Sequence, residues 1–224
     1  MVGGGSKKFP QISISLLLLI LVVLILFQRY SFKRQLEDLK SNLNLEKFNA
    51  LSLQNQIMLT QAAAAEERVQ TTADIAPFVM RTYSNSEFSF SVEFPNLWNY
   101  REEKSESGPL KFSVVINSPA GYYYFIEIYE LGGKQARDFV ANYYAAQGYK
   151  VLDLREENLA GRRVLKFYTE HSSKDVNGVP YAYGNVAFQR GDYLFNLSSS
   201  RGKTPQEKVN NPFLTHMAST LRLE

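Results

Sequence analysis

The chain predicts an α+β fold, a mainly antiparallel β-sheet flanked by helices, preceded by a transmembrane helix and a helical stalk. Three observations predict it. Leu16 to Phe27 is an unbroken apolar run; Gln28 to Pro77 encloses no Gly or Pro and carries apolar residues at helical spacing; beyond residue 80, aromatic and β-branched stretches alternate with polar ones. The expected layout is a short tail at 1–9, a transmembrane signal anchor at 10–28, a helical stalk at 29–69, a linker at 70–82 and the α+β domain at 83–224.

Taken in order, Pro10 to Phe27 is roughly 18 residues, about 27 Å as a helix, close to the hydrocarbon thickness of a bilayer. Phe9 and Tyr30 stand at its ends, where aromatic rings favour the interface. A cleaved signal peptide is the rival reading. Gln28-Arg29-Tyr30-Ser31-Phe32 argues against it, because large and charged residues stand where a peptidase needs small ones. Lys7 and Lys8 favour a cytoplasmic N-terminus, whereas Arg29, Lys33, Arg34 and Lys40 favour the opposite. The expectation is an extracytoplasmic C-terminal domain, since long domains translocate despite nearby charge.

In the stalk, Phe32, Leu36, Leu39, Leu43, Ala50, Leu53, Ile57 and Ala64 follow alternating spacings of three and four, with Glu46 and Thr60 interrupting. Two readings stand: a coiled coil that dimerises the protein or pairs it with another anchored helix, and a single amphipathic stalk. Leu45, Phe48, Leu51 and Leu59 lie off the seam and blur the register.

The net charge of +3 belongs to the N-terminal part, because from Tyr83 onward there are 16 basic and 16 acidic residues. A nucleic-acid-binding domain needs its own basic stripe, so no nucleic-acid partner is expected. The absence of cysteine removes disulfides, thiolate chemistry and Cys-ligated zinc, and leaves the compartment open.

Within the domain, Phe88, Phe90, Val92 and Phe94 alternate with polar residues until Pro95, the pattern of a half-buried strand. Further strands are predicted at 110–116, 122–129, 149–154, 164–169, 181–188 and 193–198, joined mostly by short connections that favour antiparallel pairing. One helix carries Ala136, Phe139, Val140 and Tyr143 on a face and ends at Gly148. Thr204-Pro205-Gln206-Glu207 has the form of a capping box, and Asn211-Pro212 restarts the helix before Phe213, Leu214, Met217 and Leu221.

The segment Tyr83-Ser84-Asn85-Ser86-Glu87-Phe88-Ser89-Phe90-Ser91-Val92-Glu93-Phe94-Pro95-Asn96-Leu97-Trp98 resembles the opening of PsbP-like domains. Ala160-Gly161-Arg162-Arg163-Val164-Leu165-Lys166-Phe167 resembles that family's Gly-centred turn into a strand, and the last helix ending in Leu221-Arg222-Leu223 its terminal element. The resemblance covers residues 83–223. It implies the PsbP/Mog1-like sandwich, a sheet between helices, and a role in binding, since members of that wider fold are mostly non-catalytic modules in photosynthetic membranes, bacterial envelopes and nuclear transport. It carries over no metal ligands.

No catalytic set is legible. His171 and His216 lack a second ligand at helical spacing, and Ser198 to Ser200 lacks a nucleophile-elbow pattern. Glu102, Glu103 and Glu106, and Glu156 with Glu157, read as solvated charge in polar turns rather than acid/base pairs. Gly132-Gly133 reads as a plain turn, Arg190-Gly191-Asp192 as a hairpin, and the Asn196-Leu197-Ser198 sequon falls inside a strand. No enzyme, cofactor or metal is expected.

Tyr122-Tyr123-Tyr124-Phe125 is the candidate recognition element. Alternation sends one pair of rings to the core and the other outward, which nominates Tyr123 and Phe125 for partner binding, against the bland reading that helices cover both faces. The expected function is a single-pass anchored adaptor that binds another membrane or envelope protein. The alternative is a small-molecule or ion-binding accessory domain with a pocket beneath the Tyr122 strand.

Overall fold

A computed structural model describes residues 12–174 and 178–224, except for the side chains of residues 12–26, 38, 41 and 42. The chain divides into two compact units, Met1–Ile57 and Met58–Glu224. The long helix α1 runs from Ile12 to Arg68. Among the described residues no helix is long and apolar enough to cross a membrane. The tail 1–9 and almost all side chains of the expected anchor, 10–28, lie outside the described residues.

The second unit contains a 3₁₀ turn at Thr72–Ile75 and then β1 Met80–Asn85, β2 Phe90–Pro95, β3 Asn99–Lys104, β4 Leu110–Asn117, β5 Tyr123–Glu130, α2 Ala136–Ala146, β6 Tyr149–Leu159, β7 Arg162–Lys174, β8 Pro180–Arg190, β9 Tyr193–Ser199, α3 Pro205–Val209, α4 Pro212–Thr220 and β10 Arg222–Leu223. The strands form two antiparallel sheets. A small one is ordered β1-β2-β10, and a seven-stranded one β3-β4-β5-β9-β8-β7-β6. The α+β expectation holds, with two sheets where one was expected.

The two faces of the large sheet are buried by different partners. On the inner face Phe112, Val114, Tyr124, Ile126, Phe195 and Leu197 pack with Phe90, Val92 and Phe94 of the small sheet and Phe213, Leu214 and Met217 of α4. On the outer face Tyr129, Leu165, Phe167, Ala187 and Leu194 are covered by Ala136, Phe139, Val140 and Tyr144 of α2. The side-chain alternation of a strand, applied to β5, therefore sorts Tyr124, Ile126 and Ile128 inward and Tyr123, Phe125, Glu127 and Tyr129 outward.

Local signals place the helix ends. Gly148, at φ 83°, ends α2 in the left-handed conformation that only glycine adopts freely. Thr204 accepts from the Glu207 N–H at 3.2 Å, while the Glu207 carboxylate accepts from the Lys203 N–H at 2.7 Å. Asn211 Oδ1 accepts from the Leu214 N–H at 3.0 Å and starts α4. At Gly184 on β8 an added Cβ would stand 2.1 Å from the Lys208 carbonyl carbon, so α3 lies on the strand only because that side chain is missing.

Three expectations need correction. Residues 70–82 are not a free linker: Ile75 is buried, Phe78 meets Phe213 edge-on at 5.3 Å, and Met80 opens β1, because these apolar side chains complete the inner core. Glu102, Glu103 and Lys104 are in a strand, β3, exposed along the sheet edge, where charge discourages further strand addition. Glu156 and Glu157 likewise lie in β6, which extends past 154 to Leu159.

Candidate functional site

The outer face of the large sheet is only partly roofed by α2. Past the end of that helix Tyr123 remains 49 % exposed and Phe125 half-buried. Their rings stack at 6.4 Å, and Phe125 meets Tyr183 of β8 edge-on at 5.5 Å. The cross-strand register creates this grouping: Phe125 pairs with Ser198 of β9, and Ser198 with Asn185 of β8. Tyr124 points the other way and stacks on Trp98 at 4.5 Å in the core. Both residues nominated from the sequence are thus brought together on one open face, while Tyr122, just before the strand, lines a cleft of ≈ 700 Å³ with Glu67 and Arg201.

A buried polar row borders the rings. Asn196, fully buried, directs its Nδ2 toward Tyr144 OH at 2.9 Å, Asn185 Oδ1 at 3.1 Å and Glu127 Oε2 at 3.2 Å. Asn185 in turn donates to Thr169 Oγ1 at 3.1 Å. Burial holds the Glu127 carboxyl above the usual carboxylate range, against the pull of Asn196, Tyr129 and Tyr144. Burial, then the Glu127 charge, pushes the Tyr129 and Tyr144 phenols up. Such a connected row fixes the strands beneath the rings and so holds the aromatic patch in one geometry.

A second group of polar residues sits where α1 ends. Arg201, 8 % exposed, follows β9 and donates from Nη2 to the carbonyls of Glu66 and Val69, each at 2.8 Å. Its guanidinium lies 5.4 Å from the Phe213 ring and 5.7 Å from that of Tyr122. Tyr122 OH donates to Glu67 at 2.8 Å. The Glu66 side chain is fully buried, and burial raises its carboxyl from 4.5 to about 7 despite Ser118, Arg201 and the Ala120 backbone, which lower it. No sequence signal announces this group, since Glu66 and Arg201 are separated by most of the domain and neither sits in a motif.

The other sequence candidates resolve into structural pairings. Glu102 accepts from Tyr83 OH at 2.9 Å and Glu103 pairs with Arg101 at 2.8 Å. Glu157 pairs with Arg155 at 2.6 Å and with Lys166 at 2.9 Å, and Glu156 with Arg163 at 3.6 Å. Gly191-Asp192 turns the β8–β9 hairpin, and Asp192 accepts from the Gly133 N–H at 2.8 Å, which ties down the Gly132-Gly133 turn. Asn196 of the sequon is enclosed by the row just described. His171 Nδ1 accepts from the Ser173 N–H at 2.9 Å and its Nε2 faces the Gln147 carbonyl at 3.2 Å, while His216 lies 3.9 Å from Glu93. Among the described residues no three His, Asp or Glu side chains stand together as a metal site would require.

Fold and face define an α+β domain of two packed antiparallel sheets with an aromatic patch beside one helix. Among solved structures the chain is similar to cyanobacterial PsbP (CyanoP) from Synechocystis sp. PCC 6803, at 12 % identity and a TM-score of 0.46 over 65 % of this chain and 92 % of that one. It is also similar to PA94, a protein of unknown function from Pseudomonas aeruginosa, at 18 % identity and a TM-score of 0.29 over 54 % of this chain and 81 % of that one. No protein-family model and no curated protein matches the chain.

Proposed function

We propose that this chain is a membrane-anchored, non-catalytic binding protein. Its α+β domain stands outside the cytoplasm and engages another membrane or envelope protein through the Tyr123–Phe125 face. The observation that carries this reading is the half-exposed Tyr123 ring stacked on Phe125 beside Tyr183 on the part of the sheet left open by α2. Clustered tyrosine and phenylalanine rings on a rigid support make good interface anchors, because they bury much area at little cost in side-chain entropy. The apolar run Leu16 to Phe27 supports the anchor. The pairing of the acidic residues within the sheets, and the engagement of both histidines by structural neighbours, support a non-catalytic role. The test is gentle cross-linking in the native cells, purification of the full-length protein in mild detergent and mass spectrometry of what accompanies it. A reproducible envelope partner that is lost in Tyr123→Ala is expected; a partner set unchanged by that substitution counts against the face.

A second reading is favoured by a cleft of ≈ 790 Å³ lined by Phe88, Lys104, Lys111, Arg190 and Tyr193, among others. Lys104, Lys111 and Arg190 are matched there by Glu87, Glu106 and Asp192, around Phe88, Tyr193 and Phe195, so the cleft suits a small zwitterionic molecule with an apolar body. A thermal shift with free aromatic amino acids that disappears in Arg190→Ala would support an accessory ligand-binding role instead.

A further inference from the structure

The stalk presents an apolar seam to solvent. Phe32 is 65 % and Leu39 72 % exposed, and Leu36, Leu43, Leu53 and Ile57 on the same stripe are exposed as well. Helical propensity alone is a weak support for an isolated helix, and most helical stability in proteins comes from packing an apolar face against something. A stripe with alternating spacings of three and four is the face that a second helix buries in a left-handed supercoil.

We propose that a second copy of this chain docks along this seam in parallel orientation and in register. The seam supplies alternate d and a layers from Phe32 (d) and Leu36 (a) onward. The flanks then bear on the direction. Lys33, Lys40 and Lys47 all fall on one flank, the e positions, whereas Gln28, Gln35 and Asn49 fall on the other, the g positions. In a parallel pair each g residue faces the e residue five positions later on the other copy, so Gln28 meets Lys33 and Gln35 meets Lys40, and an amide oxygen accepts from each ammonium. In an antiparallel pair e faces e, so registers that overlap residues 33–47 set lysine against lysine, and only a longer overlap brings Gln54 and Gln61 opposite them. Two copies anchored through Leu16–Phe27 in one membrane leave it on the same side and so pair in parallel, a direction that rests on the anchor proposed above. The interruption at Glu46 fits the same direction. In a parallel pair a d residue packs beside the following e residue of the other copy, which here is Lys47, so the carboxylate that breaks the apolar layer gains a cation. A single polar layer of this kind fixes register while lowering stability. Leu45, Phe48 and Leu51 stand off the seam, and the pairing leaves them exposed. The inference is independent of what the Tyr123 face binds.

The absence of native cysteine makes the test direct. Leu39→Cys, Leu53→Cys and Asn55→Cys are made singly in the full-length protein and oxidised mildly in native membranes. Parallel, in-register pairing predicts disulfide dimers from Leu39→Cys and from Leu53→Cys, at least tenfold faster than from Asn55→Cys, which lies off the seam. Dimers formed only when Leu39→Cys chains are mixed with Ile57→Cys chains, the d-to-a pairing of antiparallel helices, would overturn the direction. No dimer from any variant, or equal rates from all three, would overturn the pairing itself, leaving a monomeric stalk or one paired with a different chain. Sedimentation of the unmodified protein in detergent supplies the second measurement, with the mass of two chains expected and that of one chain contradicting the proposal.

Discussion

Arg201 Nη2 donates to two backbone carbonyls at once, those of Glu66 and Val69, each at 2.8 Å. The last carbonyls of an α-helix lack the usual intrahelical partners, and a buried guanidinium can donate to them where water cannot reach; the Glu66 carbonyl also accepts from the Val69 N–H at 3.1 Å. A parallel arrangement closes α4, where Arg162 donates from Nη1 to the Leu221 carbonyl at 2.6 Å and from Nη2 to the Ala218 carbonyl at 2.9 Å, with its guanidinium 4.6 Å from the Phe188 ring. Arg162 of β7 and Arg201, just beyond β9, thus seal the C-terminal ends of two helices.

Arg201→Ala should lower the stability of the Met58–Glu224 unit by about 2–4 kcal/mol, because the Val69 carbonyl loses its charge-assisted donor and the Glu66 carbonyl keeps only the Val69 N–H. Arg201→Lys should recover only part of that, since an ammonium can donate to both carbonyls but lacks the planar group that lies over the Phe213 and Tyr122 rings. Denaturant unfolding of the three proteins measures it, and a wild-type midpoint in Arg201→Ala would contradict the clamp.

Glu66 makes stability depend on pH. Burial raises its carboxyl in the folded protein from 4.5 to about 7, against the effect of Ser118, Arg201 and the Ala120 backbone. The folded state therefore holds the proton more tightly than the unfolded one. The contribution is complete below pH 4.5 and is lost as pH rises through about 7. Between pH 4.5 and 8 the loss should approach about 3 kcal/mol, and Glu127, raised by burial too, acts in the same direction. Glu66→Gln should flatten most of this slope; an identical slope in the variant would remove Glu66 as its source.

Gly184→Ala should destabilise the domain by about 2–3 kcal/mol, the range for forced overpacking, because its Cβ would meet the Lys208 backbone at 2.1 Å rather than a flexible side chain. The expected signature is a lowered melting temperature together with faster proteolysis near α3. An unaltered thermal transition would mean that α3 is free to move off the strand.

Tyr123→Ala should leave the melting temperature within a few degrees while weakening partner capture, because the ring is half exposed and its main contact is the stacked Phe125. Phe125→Ala should lower both, since that ring also packs against Tyr183. Loss of folding in Tyr123→Ala would assign the ring a structural role instead.

Elements whose signals are local were already legible in the chain. Thr204 and Asn211 cap α3 and α4 because their oxygens reach backbone N–H groups three residues on. Gly148 ends α2 through its own φ, and the alternation from Tyr122 to Phe125 determined which rings turn outward. Tertiary structure alone decided what depends on neighbours distant in the chain. β3 has no apolar face to betray it, and it is a strand because β4 offers it an edge. Residues 70–82 read as a polar connection until Ile75 and Phe78 find the core. Glu66 and Arg201 look like ordinary surface charges in sequence. Only the packing of the end of α1 against the residues that follow β9 removes both from water, and that removal makes one a helix clamp and the other a proton-sensitive group.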